Sequence, residues 1–416
     1  MRQLLRVRTG AAMALAAVMA LTACSSTDDA DEGTVTIRYT NFSANAGNEE
    51  NLQAMVDAFE LANPNIKIET EILPYGDYFT ALQTSIAGGT VGDTFELNYE
   101  SFAQYAGSGA LRPIENVPTG AYAPSLLDGF QYDGEQLGLP LSYSAVVLLY
   151  NRGLFEAAGL DEPTADWTWE DEREAAEALA DPASGVFGNM QSASYHEFYK
   201  AIVQAGGSFL SEDGTRAAFN TPAGVEAAEW LLEKYGTVMA TEAQGLGTPD
   251  FDKNLFQDGK LAMWHTGIWM FGPLSTIDVD WDVVPEPAGP GGEGNGMFAN
   301  GVFISSNTEH PAEAQKWLEF LTSSEETVQI RLDAAWELPP VSDEAKLATY
   351  LEQSPPANRG AVIEAMSDGV LPPVIVRGQE VQDVVQAELN AARDGTKTVE
   401  QALADAEQAV NELLAE

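Results

Sequence analysis

The chain has 416 residues, a single cysteine, and 64 acidic against 20 basic side chains, for a formal net charge of −44 at pH 7. That balance argues against nucleic acid as a partner, because phosphate binding needs a basic patch, and it opposes adhesion to an anionic lipid surface. One cysteine excludes an intramolecular disulfide, a CxxC redox pair and a cysteine-built zinc centre, while a 45% hydrophobic content excludes a disordered chain and supplies a core for two domains.

Arg2, Arg6 and Arg8 precede an apolar run at 10–21 (GAAMALAAVMAL), with no acidic residue before Asp28. The run is shorter than the ~18 apolar residues of a spanning helix and has the layout of an export signal. Leu21-Thr22-Ala23-Cys24 follows at once and resembles the lipobox of bacterial lipoprotein signals. That resemblance implies a lipid on the Cys24 thiol, cleavage before it, and a location on the outer face of a membrane. Residues 1–23 are then a leader, and Cys24 with 25–33 (SSTDDADEG) a flexible tether.

The fold begins at Thr34. Alternation predicts strands at 34–39, 66–72 and 95–98. Helical spacing predicts helices over 48–62 and 78–87, ended by Asn63-Pro64 and Gly88-Gly89. The first part thus reads β-α-β-α-β, an α/β layout with a mostly parallel sheet. Beyond a turn at Asp133-Gly134, residues 136–140 and 144–150 are strand-like. Further helices are expected at 169–179 with Thr168 as N-cap, and at 197–205, 223–236, 251–258 and 311–321. Residues 302–305 read as a strand and 285–296 as a Pro/Gly-rich loop. The tail 379–414 is helical, with a break at Asp394-Gly395.

Catalytic chemistry has little support. His196, His265 and His310 lie in no nucleophile or metalloprotease motif, and no phosphate-binding glycine loop follows a strand. Asp278, Asp280 and Asp282 read as an exposed acidic loop without calcium-loop spacing. The informative signal is aromatic. Trp264 and Trp269 flank His265-Thr266-Gly267, Trp336 precedes Pro339-Pro340, Tyr143 follows a Gly138-Leu139-Pro140 turn, and Tyr195-His196 precede a helix. Flat aromatic faces suit the C–H faces of sugar rings, and nearby amides and acids suit hydroxyls. Trp230 and Trp317, at helical spacing among Ala and Leu, read as core instead.

With these pieces in order, the chain resembles the family 1 extracellular solute-binding proteins, the sugar-binding lipoproteins of bacterial ABC importers. The resemblance is carried by VTIRYTNF (35–42), FELANPNIKIE (59–69), LQTSIAGGTVGD (82–93), SGALRPIE (108–115), GLPLSYSAVVLLYNRGLFEAAGL (138–160), TWEDEREAAEALAD (168–181), AGGSFLSEDGTRAAFNTPAGVEAAEWL (205–231), FQDGKLAMWHTGIW (256–269) and GVFISSNTEHPAEAQKWLEFLTSSE (301–325). Gly92, where the family commonly has Pro, and Glu172, where a Phe usually follows WED, depart from it in ways that concern packing.

The resemblance implies an α/β fold of two lobes with the class II topology of periplasmic binding proteins. Lobe 1 is expected at 34–142 plus 300–345 and lobe 2 at 143–299 plus 346–416. The hinge crossings are expected near 141–145, 298–301 and 341–350. It implies a non-enzymatic receptor, without cofactor or metal, that closes like a clamp on a mono- or oligosaccharide and delivers it as a monomer to a membrane permease. The ligand contacts it implies are Asn41, Phe42, Glu96, Asn98, Glu100, Tyr143, Tyr195, His196, Trp264, Gly267, Trp269, Asn300, Gly301, Trp336, Glu337 and Arg377. A receptor for a polyamine, peptide or metal chelate, or a glycosidase using two carboxylates, stays open at this point.

Overall fold

In the computed structural model, residues 33–45 and 47–415 are described; the leader, Cys24 and most of the tether lie outside them. The longer strands of the sheet are β1 (Val35–Asn41), β2 (Ile66–Ile72), β3 (Thr94–Asn98), β4 (Gly138–Asn151), β5 (Met263–Gly267), β6 (Trp281–Val284) and β7 (Asn295–Ser305), and the two-residue strands Leu111–Arg112 and Gly369–Val370 pair with β7. Its order is β2-β1-β3-β7-β4-β5, with β6 also on β4. The first three strands are parallel, as βαβ crossovers through helices Glu49–Ala62 and Tyr75–Ala87 require. The expected parallel sheet ends there. β7 returns from far along the chain and pairs antiparallel with both β3 and β4.

β4 is one strand of 14 residues where the sequence pattern suggests two. Pro140, read as part of a turn, sits inside it opposite Gly301, where the β4–β7 register shifts between Asn300 and Gly301. Proline lacks a ladder donor and is tolerated at such an irregularity. Asp133-Gly134 does turn the chain, both residues at positive φ, between the short paired strands Gln131–Tyr132 and Glu135–Gln136. Three further readings change. Trp264 lies within β5 and not in a turn. Asp282 is buried in β6, held by Arg152 and the Asn358 amide, whereas Asp278 and Asp280 are exposed. The helix expected from 197 starts at Tyr195 under a Ser194 cap, so Tyr195 and His196 belong to its first turn.

Apolar stripes face the sheet on both sides of β1 and β3. On one side Leu52, Met55, Val56 and Phe59 of helix Glu49–Ala62 meet Trp317 of helix Pro311–Ser323, whose ring stands edge-on to Tyr39 at 5.7 Å and Phe59 at 5.2 Å. On the other, Tyr78, Leu82 and Phe102 cover Phe95, Leu97 and Phe303. Trp230 is likewise core, stacked on Trp169 at 4.7 Å. The C-terminal helices Gly378–Arg393 and Val399–Leu414 pack through Val381, Val385, Leu403 and Val410 on Phe198 and Leu231. No helix among the described residues is long and apolar enough to cross a membrane.

Candidate functional site

The carboxyl ends of β1 and β3, the crossing strands β4 and β7, the end of β5 and the first turn of helix Tyr195–Gln204 converge on one cleft. Strand ends are where open α/β sheets leave a crevice, because the loops that follow splay apart. The cleft holds a cavity of about 430 Å³, within the range of small-molecule sites. Its aromatic faces come from Phe42, Tyr75, Trp264, Trp269 and Phe298, and its polar groups from Asn45, Asn98, His196, Glu197, Asp252, Asn300 and Glu337. Trp269 stands edge-on to Phe298 at 5.9 Å. A Cβ on Gly267 would fall 1.9 Å from the Trp269 ring, so only glycine allows the indole to lie back over that backbone.

The polar rim is braced from behind. Asn98 caps helix Tyr99–Gly107, accepting from Ser101 N, and donates to Glu100 Oε1 at 2.6 Å and Tyr75 Oη at 3.0 Å. Glu100 also meets His196 Nε2 at 3.2 Å, tying this helix start to the opposite wall. Glu337 accepts from Ser142 Oγ at 2.5 Å and from Asn300 Nδ2 at 3.3 Å, with Arg331 behind it at 3.8 Å. Glu96 is fully buried under the turn after β1, where it accepts from Ser43 Oγ at 2.9 Å and Ser43 N at 3.2 Å. Burial, with the nearby charge of Glu337, pushes its carboxyl up to about 8 despite the Ser43 bonds.

Behind Trp264 lies a buried charge cluster. His265 Nδ1 is 2.9 Å from Glu286 and its Nε2 is 3.2 Å from Glu172. Lys200 bridges Glu197 and Glu286, and Lys234 bonds Glu172 at 2.8 Å and Gln191. Burial alone would raise the Glu172 and Glu286 carboxyls; Lys234 with His265, and Lys200 with His265, overcome it and hold both at about 2. Burial pulls the His265 imidazole down, but Glu172 and Glu286 outweigh it and its pKa rises above the ordinary 6.5. Three acids thus face two lysines and an imidazole that balances them when protonated. Glu197, His265 and Glu286 bring donor atoms within 4.8 Å of one another. The Lys200 ammonium already occupies the two carboxylates, so the cation there is the protein's own.

Of the residues singled out in the sequence, Phe42, Asn98, His196, Trp264, Trp269, Asn300 and Glu337 line the cavity. Asn41, Glu96, Glu100 and Gly267 lie just behind that lining as braces. Tyr143 sits in the crossing, exchanging backbone bonds with Leu338, and Gly301 packs against Phe130 and Phe303. Tyr195 is buried against Tyr199 and Phe209. Trp336 is buried under Arg331, whose guanidinium lies 4.3 Å over its ring. Arg377 pairs with Glu380 and lines a separate depression with Val374, Val376 and Leu413.

Ser43, Asn45, Asn48, Tyr75, Val146, Glu197, Asp252, His265, Thr266, Met270, Pro273 and Phe298 also line the cavity and are absent from the sequence-based set. Phe298 was within reach, since it opens an expected crossing. Tyr75 was hidden because its helix was expected to start at Tyr78, and Asp252 carried no signal at all among so many acids.

A family model described as bacterial extracellular solute-binding protein matches residues 45–328. The ABC substrate-binding protein from Listeria monocytogenes, solved in complex with cycloalternan, is 38% identical and superposes with a TM-score of 0.87 over 92% of this chain and 99% of that one. A putative binding protein of Brucella abortus is 26% identical over 387 residues, covering 91% of this chain and 92% of its own. The maltodextrin-binding protein of Bacillus subtilis is 23% identical over 278 residues, 65% and 66% of the two chains.

Proposed function

We propose that this chain, which belongs to the family of bacterial extracellular solute-binding proteins, is the receptor of an ABC importer for an oligosaccharide of glucose-type rings, held in the cleft between β1, β3 and β5. The observation that carries the reading is its whole-length likeness to a receptor solved with cycloalternan. The cleft agrees in chemistry: Trp269 and Phe42 are half-buried aromatic rings in its lining, with Trp264 buried in the wall, and Asn98, Asn300 and Glu337 offer hydroxyl partners. A cationic solute fits less well. Glu197 is paired with Lys200, and Glu337 is bonded to Ser142 and Asn300 with Arg331 3.8 Å behind it, so two of the cleft's acids already have partners within the protein.

In this reading residues 34–142 with 300–345 form one lobe and 143–299 with 346–416 the other. β4, β7 and a third passage near 341–350 are the crossings, with Leu338 bridged to Tyr143 of β4 shortly before the third. Sugar contacts from both sides form together only when the lobes close, so binding shifts the population to the closed form. That form docks on the permease as a monomer, tethered by a lipid on Cys24. The test is a thermal-shift screen of mono-, di- and oligosaccharides, cycloalternan and maltodextrins included, on the chain beginning after Cys24. A ligand at a hundred times its Kd adds about 2.7 kcal/mol, a rise of a few degrees. A flat response across the whole panel would sink the reading.

A further inference from the structure

Glu100, one of the expected sugar contacts, is buried and absent from the cavity lining. Its Oε1 accepts from Asn98 Nδ2 at 2.6 Å and lies 3.2 Å from His196 Nε2. Its Oε2 is buried without a hydrogen-bond partner. A carboxylate held out of water with one oxygen unsatisfied is costly, so each bond that it does make counts.

His196 reaches this carboxylate from the other side of the cleft. Glu100 is in the first turn of helix Tyr99–Gly107, within 34–142, and His196 is in the first turn of helix Tyr195–Gln204, within 143–299. The His196 ring is set edge-on to Phe298 at 5.5 Å, Tyr195 at 5.4 Å and Tyr199 at 6.1 Å, which fixes the aim of its Nε2. That nitrogen donates whether the imidazole is the Nε2–H tautomer or fully protonated. The two sides approach each other elsewhere too. A Cβ on Gly378, the first residue of helix Gly378–Arg393, would stand 3.7 Å from the Glu100 carbonyl oxygen, and one on Gly47 would stand 3.3 Å from Pro273 Cγ.

We infer that the Glu100–His196 bond is a latch across the cleft, made only when the two lobes close, which strengthens the binding of every sugar by the same factor. The inference rests on the two-lobe reading above and adds a closing contact that the ligand does not supply. In a clamp that is mostly open when free, a bond found only in the closed form multiplies the closing equilibrium whatever occupies the cleft. It therefore changes affinity and residence time without changing which sugar is preferred. A side chain bonded to sugar hydroxyls does the opposite and discriminates between sugars that present them differently.

The experiment titrates the chain after Cys24 calorimetrically with maltose, maltotetraose and cycloalternan, and follows dissociation by stopped-flow tryptophan fluorescence. The variants compared are Glu100→Gln, His196→Ala, these two combined, and His196→Gln. His196→Ala is expected to weaken each sugar about tenfold, the worth of a bond to a charged group, through faster dissociation. The losses should agree across sugars to within about twofold, because only the closing equilibrium has changed. Glu100→Gln keeps an oxygen for Asn98 and should lose less. The double variant should lose no more than His196→Ala, since the bond is already gone. His196→Gln offers an amide N–H in place of Nε2–H and should recover most of the loss. The melting temperature without sugar should stay unchanged, as the open form lacks the latch. Losses that differ between sugars, additive losses in the double variant, no loss at all, or a lower melting temperature without sugar overturn the latch and leave the receptor reading standing. If none of the three sugars binds the unmodified protein, the latch falls together with the gluco-oligosaccharide reading.

Discussion

Gly267 owes its identity to a neighbour's ring. The Trp269 indole occupies the space a Cβ would need, so Gly267→Ala is expected to swing Trp269 away from the cleft. Sugar affinity should fall about tenfold, roughly 1.4 kcal/mol, with little change in melting temperature, because Trp269 is only half-buried. Titration beside a melt separates the two effects. Glu96 makes the opposite kind of statement. Its carboxyl ionises near 8 in the folded chain against an ordinary 4.5, so between those values the folded state holds a proton that the unfolded state has released. Stability from this group is complete below 4.5 and lost as pH rises to 8. Glu96→Gln should flatten the fall in melting temperature between pH 5 and 8. A variant that keeps the full slope would assign it elsewhere, for instance to His265, whose raised pKa acts in the same direction from pH 6.5 upward.

Between elements, the charge cluster does the joining. Glu172 lies on helix Trp169–Leu179, Lys234 follows helix Pro222–Leu232, His265 is in β5 and Lys200 on helix Tyr195–Gln204. In the sequence, Glu172 stood out only as a departure from the family resemblance, with a packing difference expected. The structure makes it the partner of Lys234 and His265 behind the cleft wall. Removing one member leaves an uncompensated buried charge, which costs about 3–5 kcal/mol. Glu172→Ala should lower stability by that amount in urea unfolding. Glu172→Leu combined with Lys234→Met should lose less than either single change, since an apolar pair replaces an ion pair of similar size. A double variant worse than both singles would mean that the cluster acts through His265 alone.

For the whole molecule, the expected device is a tethered clamp. Cys24→Ser should release the protein from membranes while leaving its sugar affinity unchanged; a variant still sedimenting with membranes would refute lipid anchorage at that residue. Closure predicts a smaller radius of gyration in small-angle scattering on addition of a sugar that raises the melting temperature. The acidic surface belongs to this scale too. A net charge of −44 favours solubility, but it says nothing about the cleft, where Glu197 is paired with Lys200 and Glu337 is bonded to Ser142 and Asn300.

Local periodicity was enough for the parallel β1-β2-β3 unit and its two helices, because alternation and 3.6-residue spacing are properties of neighbours along the chain. The same holds for the Thr168 cap, the Asp133-Gly134 turn and the buried roles of Trp230 and Trp317. Seven cleft residues, from Phe42 to Glu337, were legible because motif order placed them at strand ends and crossings. Only tertiary structure decided the rest. Pro140 reads as a turn until β7 supplies a bulge to receive it. Trp264 reads as a loop aromatic until β4 pairs with its strand. Asp252 is one acid among 64 until the fold sets it in the lining of two cavities. These strand pairings join residues more than a hundred positions apart, Pro140 with Gly301 and Leu149 with Trp264, and a linear pattern of propensities holds no record of such partners.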